Sequence, residues 1–102
     1  MAQITIVYWR DIPAQVIVKQ GRQTARRELA QRFQEAIDMA AMRAKAIGTD
    51  AYLADWRRAD PVDCGADLEA EASAWQEKLE AEYDAVRIDA LIAAYGREHP
   101  DA

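Results

Sequence analysis

The sequence contains few of the residues on which disulfide bonds and metal sites depend. Its 102 residues include one cysteine, Cys64, and one histidine, His99. A single cysteine excludes an internal disulfide bond, and one cysteine with one histidine excludes the usual zinc-binding patterns. We therefore expect no bound metal and no cofactor.

Long apolar runs are also missing. No stretch approaches the roughly 20 apolar residues that a membrane-spanning helix needs. The first residues lack the basic start and small-residue cleavage site of a signal peptide. The chain is 51% hydrophobic and 30% charged, which is ordinary for a globular domain. Its length fits one domain, residues 1–102, which we expect in the cytoplasm and away from membranes.

Charge is distributed unevenly along the chain. Residues 1–48 carry eight Lys and Arg against four Asp and Glu, whereas residues 49–102 carry five against fourteen. The overall pI near 4.8 disfavours a dedicated nucleic-acid-binding protein, which normally has a strongly basic domain. Nucleic acid therefore stays possible but not favoured as a partner, and the basic residues of the first half could still bind an anionic surface.

Two β-rich runs open the chain. Residues 3–10 and 15–20 are dense in β-branched and aromatic residues, and about four residues separate the two runs. This spacing predicts a β-hairpin with Asp11, Ile12 and Pro13 in its loop, where the proline ring fixes φ.

The period of the apolar residues then changes. Over residues 22–47 they recur every three or four positions, which predicts an amphipathic helix that Gly48 ends. Residues 50–58 are ambiguous, because Thr49 could cap a short helix or the segment could form a third strand. We expect the strand, since a hairpin alone is only marginally stable and a third strand completes a sheet.

A second helical pattern covers residues 67–95, with Asp67 suited to cap its start and Gly96 and Pro100 suited to stop it. Its 29 residues would span roughly 44 Å at 1.5 Å per residue. A compact domain of this length is only about 33 Å across. We therefore expect this helix to bend, to protrude or to lie along a second copy. The predicted fold is α+β: a single ββαβα domain whose three-stranded, mainly antiparallel sheet is covered by two helices, the last one long.

Arginines crowd the start of the first predicted helix. Arg22, Arg26 and Arg27 fall in its first turns, where the helix dipole disfavours cations unless an anion offsets them. Free N–H groups and arginines together favour a phosphate or carboxylate there. The alternative anion is the protein's own acidic last helix, in the same chain or in a second copy, whose solvated acidic face includes Glu77, Glu80, Glu82 and Asp84.

Two tryptophans are each followed by arginine. Trp9 and Trp56 suit a small core. If they share one sheet face, they would instead form an aromatic platform edged by Arg10, Arg57 and Arg58, as in proteins that bind single-stranded nucleic acid.

Cys64 and His99 are the one pair that could serve as nucleophile and base. Such a dyad needs a third group and an oxyanion site, and no recognisable motif supplies either. His99 also lies three residues from the end of the chain, where fraying is expected. We expect no catalytic residue.

The run YWRDIPAQVIVKQGR and the following ELAQRFQEAIDMAAMRA resemble the conserved virulence factor family of small bacterial proteins. The similarity spans most of residues 3–60 and is most specific in WRDIPAQV and RFQEAIDMAAMRA. The family has no assigned catalytic residues, so the resemblance carries none over. Some stand-alone members accompany corrinoid-dependent methyl-transfer systems, which implies an accessory role there as an alternative. That role would depend on protein contact, because no corrinoid-ligating motif is present.

Together these observations predict a non-enzymatic interaction protein. The hairpin loop and the arginine-rich helix start would contact a protein partner, and the long helix would support a homodimer. The main alternative is an anion- or RNA-binding protein. The candidate binding residues are Arg10, Arg22, Arg26, Arg27, Arg57 and Arg58, with Asp11, Ile12 and Pro13 as the candidate partner-contact loop.

Overall fold

Five strands and four helices make up the part of the chain that the structure, a computed structural model, describes: residues 2–45 and 49–97. The strands have the order β3-β2-β1-β4, and β5 also pairs with β1. All the pairings are antiparallel. The α+β class and the antiparallel sheet are confirmed, but the prediction of three strands and two helices is wrong. The elements are β1 (Gln3–Trp9), β2 (Ile12–Gln20), β3 (Gln23–Glu28), α1 (Gln31–Arg43), α2 (Thr49–Ala54), β4 (Trp56–Arg58), β5 (Val62–Asp63), α3 (Leu68–Glu82) and α4 (Ala85–Ala93).

The first hairpin is confirmed, with a tighter turn than predicted. Trp9 pairs with Ile12, so only Arg10 and Asp11 form the turn. Ile12 and Pro13 belong to β2 and are fully buried, which corrects their placement in the loop. A register shift next to Pro13 accommodates this residue in the strand, because proline is tolerated at bulges, where ladder hydrogen bonds are already disrupted.

The predicted helix over residues 22–47 is wrong in its first part. Gln20 pairs with Gln23 across a two-residue turn in which Gly21 has φ +60°. Glycine adopts this conformation at no steric cost, so the chain reverses and β3 pairs along β2. Helix α1 begins only at Gln31 and ends at Arg43. The predicted stop at Gly48 lies outside the described residues.

The predicted long helix is two helices. Asp67 accepts a hydrogen bond from the Ala70 N–H at 3.1 Å, which confirms its role as the N-cap of α3. Asp84 does the same for α4, accepting from the Arg87 N–H at 2.9 Å, so the helix breaks at Tyr83 and restarts. No described helix is therefore longer than the domain, and helix length no longer argues for a second copy.

The ambiguous segment contains both of its predicted alternatives. Residues 49–54 form the short helix α2, so the prediction of a strand is wrong there, whereas Trp56–Arg58 form the predicted strand β4. At the end of α4, Gly96 has φ +87° and stops the helix as predicted. Pro100 lies outside the described residues.

The core lies between one face of the sheet and the helices. Ile4, Val16, Val18 and Ala25 face it from β1, β2 and β3. Helices α1 and α3 pack on this face, and α4 packs against α1. The helices contribute buried side chains that include Phe33, Ile37, Ala72, Leu79, Ile88 and Leu91.

Candidate interaction surface

The sheet has two faces, and the strand register assigns each side chain to one of them, because side chains alternate along a strand. The covered face, which carries α1 and α3, includes Ile4, Tyr8, Val16, Val18, Ala25, Arg27 and Arg57. The opposite face, here called the open face, includes Thr5, Val7, Trp9, Gln15, Ile17, Lys19, Arg26, Glu28, Trp56 and Arg58, and α2 covers it at Trp9.

The open face has an apolar centre that is separate from the core. Val7 is 8% exposed and Ile17 is 5% exposed, yet neither belongs to the core cluster. Their cross-strand neighbours include Arg58 for Val7 and Arg26 for Ile17. Long side chains can cover apolar neighbours with their stems while their charged ends stay in water. This face is therefore polar at its rim and apolar underneath.

Arg10 is the most deeply engaged of the candidate arginines. Its Nε donates to the Asp55 carboxylate at 3.0 Å and its Nη1 to the Tyr95 carbonyl at 2.7 Å. The guanidinium lies 4.8 Å from the Trp9 ring centroid. Arg10 has φ +55°, an unfavourable conformation for a side chain with a Cβ, which these contacts hold in place. The Arg10 side chain therefore connects the hairpin turn to the residue that follows α2 and to the end of α4.

Arg27 and Arg57, on the covered face, also have partners. Arg27 pairs with Glu69 of α3, and this ion pair makes the protein's own acidic helix the partner of Arg27. Arg57 donates to the Arg10 carbonyl at 2.8 Å and to Asp11 at 3.1 Å, and its guanidinium lies 4.5 Å from the Tyr8 ring centroid. Burial raises the pKa of Tyr8, and the nearby positive charge of Arg57 acts in the opposite direction.

The other candidate arginines are exposed and unpaired. Arg26 and Arg58 lie on the open face, and Arg22 lies in the turn before β3. Within residues 2–45 and 49–97, the side chains of these three make no ion pair or hydrogen bond. None of the arginines at 22, 26 and 27 is at a helix N-terminus, so the predicted helix-dipole site is absent from the described structure. Anion binding by them remains a prediction.

The candidate contact loop offers little side-chain surface. Asp11 pairs with Arg57 and its N–H donates to the Gly96 carbonyl at 2.8 Å. Ile12 and Pro13 are buried. A partner at this loop would therefore meet the Asp11 side chain and the backbone of the turn.

The two tryptophans pair across β1 and β4 as cross-strand neighbours, but their exposures differ. Trp9 is fully buried, and its indole N–H donates to the Tyr52 carbonyl at 2.9 Å. The Tyr52 ring, from α2, stacks on Trp9 with ring centroids 5.9 Å apart and meets Trp56 edge-on at the same separation. Helix α2 thus closes this end of the sheet, and the two tryptophans form no shared exposed platform. Only Trp56, which is half-buried, reaches the surface.

A groove crosses the open face beside Trp56. It consists of two concavities of about 560 Å³ and 440 Å³, both lined by Gln15 and Trp56. The first extends to Ala14, Glu28, Leu29, Gln31 and Gln34, and the second to Val7, Arg57 and Arg58. These glutamines are not among the candidate residues predicted from the sequence. A signal was present, because alternation in the run from Gln15 to Gln20 places Gln15 on the face opposite Val16.

Cys64 does not have the surroundings of a nucleophile. Burial raises the pKa of its thiol, and the carboxylates of Glu71 and Asp63 raise the pKa further. Reactive cysteines have a lowered pKa. His99 lies outside the described residues. Within the described ranges, no three His, Cys, Asp or Glu side chains gather in a way that could hold a metal ion.

The comparisons with known proteins give one finding. A family model described as "Virulence factor" matches residues 7–92. Neither a search of curated proteins nor a search of solved structures found a significant match. Over the residues that the structure describes, no helix has both the length and the apolar character to cross a membrane.

Proposed function

The chain belongs to the virulence factor family, and we propose that it acts as a non-enzymatic interaction protein that binds a protein partner through the open face of its sheet. The observation that carries this proposal is the groove beside Trp56, which the fold itself leaves unfilled.

The distribution of unpaired charge supports the open face as the binding surface. Arg26 and Arg58 are exposed there without a partner, whereas Arg27 and Arg57, their neighbours in sequence, are engaged on the covered face. Exposed guanidinium groups next to an aromatic ring and an apolar centre are typical of interface anchors. The hairpin loop contributes less, because the fold uses Arg10, Ile12 and Pro13 internally.

The test is partner capture from the native host with the full chain as bait. A matched pair of variants reverses one charge each: Arg58→Glu on the open face and Lys78→Glu on α3, both at exposed positions. We expect a partner that wild-type and Lys78→Glu baits enrich and that the Arg58→Glu bait loses. The proposal is wrong if no protein is enriched above an unrelated bait, or if Arg58→Glu captures the same proteins as wild type.

Binding of nucleic acid is the second candidate, favoured by the unpaired Lys19, Arg26 and Arg58 on the open face, of which Arg58 lies two residues from Trp56 on β4. Three phosphate contacts would give log K a slope of about −2 against log salt, since each contact to a single strand contributes about −0.7. The test is fluorescence anisotropy with labelled poly(U) at several salt concentrations. Absent or salt-insensitive binding would exclude this function.

A homodimer remains a proposal, but the predicted long helix no longer supports it, because that helix is divided into α3 and α4. Light scattering of the full chain across a salt series tests it: a dimer that dissociates with salt would indicate pairing between the acidic helices and the unpaired arginines of two copies. The accessory role in corrinoid-dependent methyl transfer rests on the resemblance alone.

A further inference from the structure

We propose that the groove beside Trp56 binds an extended peptide segment of the partner, with a cationic residue toward Glu28 and an acidic residue toward Arg58. This inference rests on the proposed function and specifies the chemistry of its partner. Gln15 and Trp56 line both concavities of the groove, whose volumes are about 560 Å³ and 440 Å³. Each concavity has a volume in the range of pockets that hold small ligands.

The middle of the groove contains polar groups that the fold leaves without partners. The Gln15 side chain and the Trp56 indole are both half-buried, and neither makes a hydrogen bond within the described ranges. Trp9, the cross-strand neighbour of Trp56, differs in this respect, because its indole N–H donates a hydrogen bond to the Tyr52 carbonyl. Half-buried polar groups normally bond to protein or water. A ligand in the groove would replace that water.

The glutamines favour a peptide over a nucleic acid. Gln15, Gln31 and Gln34 line the groove, and a glutamine side chain both donates and accepts hydrogen bonds. An extended peptide backbone also presents both N–H donors and carbonyl acceptors. A phosphate backbone presents acceptors only, and its charge would be repelled by Glu28 at one end of the groove. Gln34 donates to Asp38 at 3.0 Å, which leaves its carbonyl oxygen for a peptide N–H.

The charges at the two ends give the peptide a direction. Glu28 lines one concavity and Arg58 lines the other, and neither side chain has an ion-pair partner among the described residues. Gln15 and Val7 lie between them in the sheet, and Trp56, which lines both concavities, contributes an aromatic surface. A proline or another apolar side chain of the peptide suits this position, because an aromatic ring packs well on such groups.

The experiment selects ligands and then maps them. A display library of linear 12-residue peptides is selected on the full wild-type chain. Selected peptides are synthesised with a fluorescent label, and their Kd is measured for wild type and for variants. We expect Gln15→Ala and Arg58→Ala each to weaken binding at least 10-fold, while Arg22→Ala and Lys78→Ala change the Kd less than twofold. In NMR spectra, the peptides should shift the side-chain amide signals of Gln15 and Gln31 and the indole signal of Trp56.

Exchanging the end charges tests the direction. A Glu28→Lys, Arg58→Glu double variant should bind selected peptides at least 10-fold more weakly and should recover affinity for peptides whose two charged residues are exchanged. A circular dichroism spectrum equal to wild type shows that each variant is folded.

Three results of the peptide experiments would each overturn the inference. The first is a library that yields no peptide dependent on Gln15 and Arg58. The second is peptides that shift signals elsewhere on the chain. The third is poly(U) shifting the Trp56 indole signal while peptides do not.

Partner capture separates this inference from the proposed function. A host partner retained equally by wild type and Gln15→Ala would leave the proposed function standing and refute the groove as its site, whereas the absence of any host partner would refute the proposed function even if peptides bind the groove.

Discussion

The two faces of the sheet use the same residue types for opposite purposes. Arg26 and Arg27 are consecutive in β3, and Arg57 and Arg58 are consecutive in β4. In each pair, the arginine on the covered face has an acidic partner, Glu69 or Asp11, and the arginine on the open face has none within the described ranges. The alternation of side chains along a strand decides which member stabilises the fold and which is available for a partner.

The two tryptophans differ in the same way as the paired arginines: one stabilises the fold and the other is partly exposed. Trp9 and Trp56 pair across the same two strands, but α2 buries the first and leaves part of the second exposed beside the groove. Local density of arginine and tryptophan therefore does not identify a binding surface in this protein. What identifies the binding surface is the face of the sheet on which a residue lies and whether a helix covers it there. Substitutions at matched residues can test this difference.

The largest expected difference is between the tryptophans. Trp9→Ala should lower the free energy of unfolding by about 3–5 kcal/mol, because it opens a cavity in the core. Trp56→Ala should cost about 1 kcal/mol, a usual value for a partly exposed side chain. Urea unfolding measures both. Trp9→Phe, which keeps part of the ring, provides an intermediate case should Trp9→Ala not fold. Equal losses at the two positions would refute the distinction between a core and a surface tryptophan.

Gly21 and Gly96, the glycines with positive φ among residues 2–45 and 49–97, should also differ. An added Cβ at Gly96 would lie 2.9 Å from Cζ3 of the buried Trp9 ring, whereas at Gly21 it would meet nothing within 4 Å. Both substitutions strain the backbone, so Gly21→Ala should cost about 1 kcal/mol. Gly96→Ala should cost about 2–4 kcal/mol, because overpacking adds to that strain. Thermal unfolding of both variants gives the comparison. A loss at Gly21 as large as that at Gly96 would mean that contact with Trp9 is not the cause.

Arg10 and Arg58 provide the next test. Arg10→Ala should cost about 2 kcal/mol, because it removes the hydrogen bonds to the Asp55 carboxylate and the Tyr95 carbonyl and leaves Asp55 with the Arg97 guanidinium 4.0 Å away. Arg58→Ala should change stability by less than about 0.5 kcal/mol, as exposed substitutions usually do. Chemical denaturation of the two variants measures both values. A stability loss for Arg58→Ala equal to that for Arg10→Ala would contradict the separation of structural from available arginines.

The sequence predicted the elements whose signals are local. The apolar runs of β1 and β2 and the Asp67 cap were sufficient for those elements. Strand β3 was missed because its residues, QTARRE, contain one apolar side chain, Ala25, and resemble the polar start of a helix. What makes it a strand is pairing with β2 after the Gly21 turn, and this pairing is a non-local property.

The break between α3 and α4 was missed for a different reason. The apolar stripe continues across Tyr83, so periodicity alone shows one helix. Asp84 acts as an N-cap within that stripe, and the Arg32 side chain donates to the Tyr83 carbonyl at 2.5 Å, where the backbone leaves the helix. This contact joins α1 to the end of α3, so the tertiary arrangement determines where the helix breaks. The groove was missed likewise, because β2, β4 and α1 bring Gln15, Trp56 and Gln31 together.

The smallest expected difference is between Arg27 and Arg26. The Arg27–Glu69 pair is partly exposed, and solvent screening limits such pairs to less than about 1 kcal/mol. Arg27→Ala should therefore lower the free energy of unfolding by a few tenths of a kcal/mol. Arg26→Ala should cause no change that urea unfolding can resolve. Because salt screens exposed charges, the difference should vanish at about 1 M NaCl, where the Debye length is about 3 Å. A difference that persists in high salt would indicate that packing of the Arg27 stem, not the ion pair, separates the two faces at β3. For partner binding the order should reverse, because Arg26, unlike Arg27, has its charge free on the open face. Arg26→Ala should therefore weaken capture more than Arg27→Ala does.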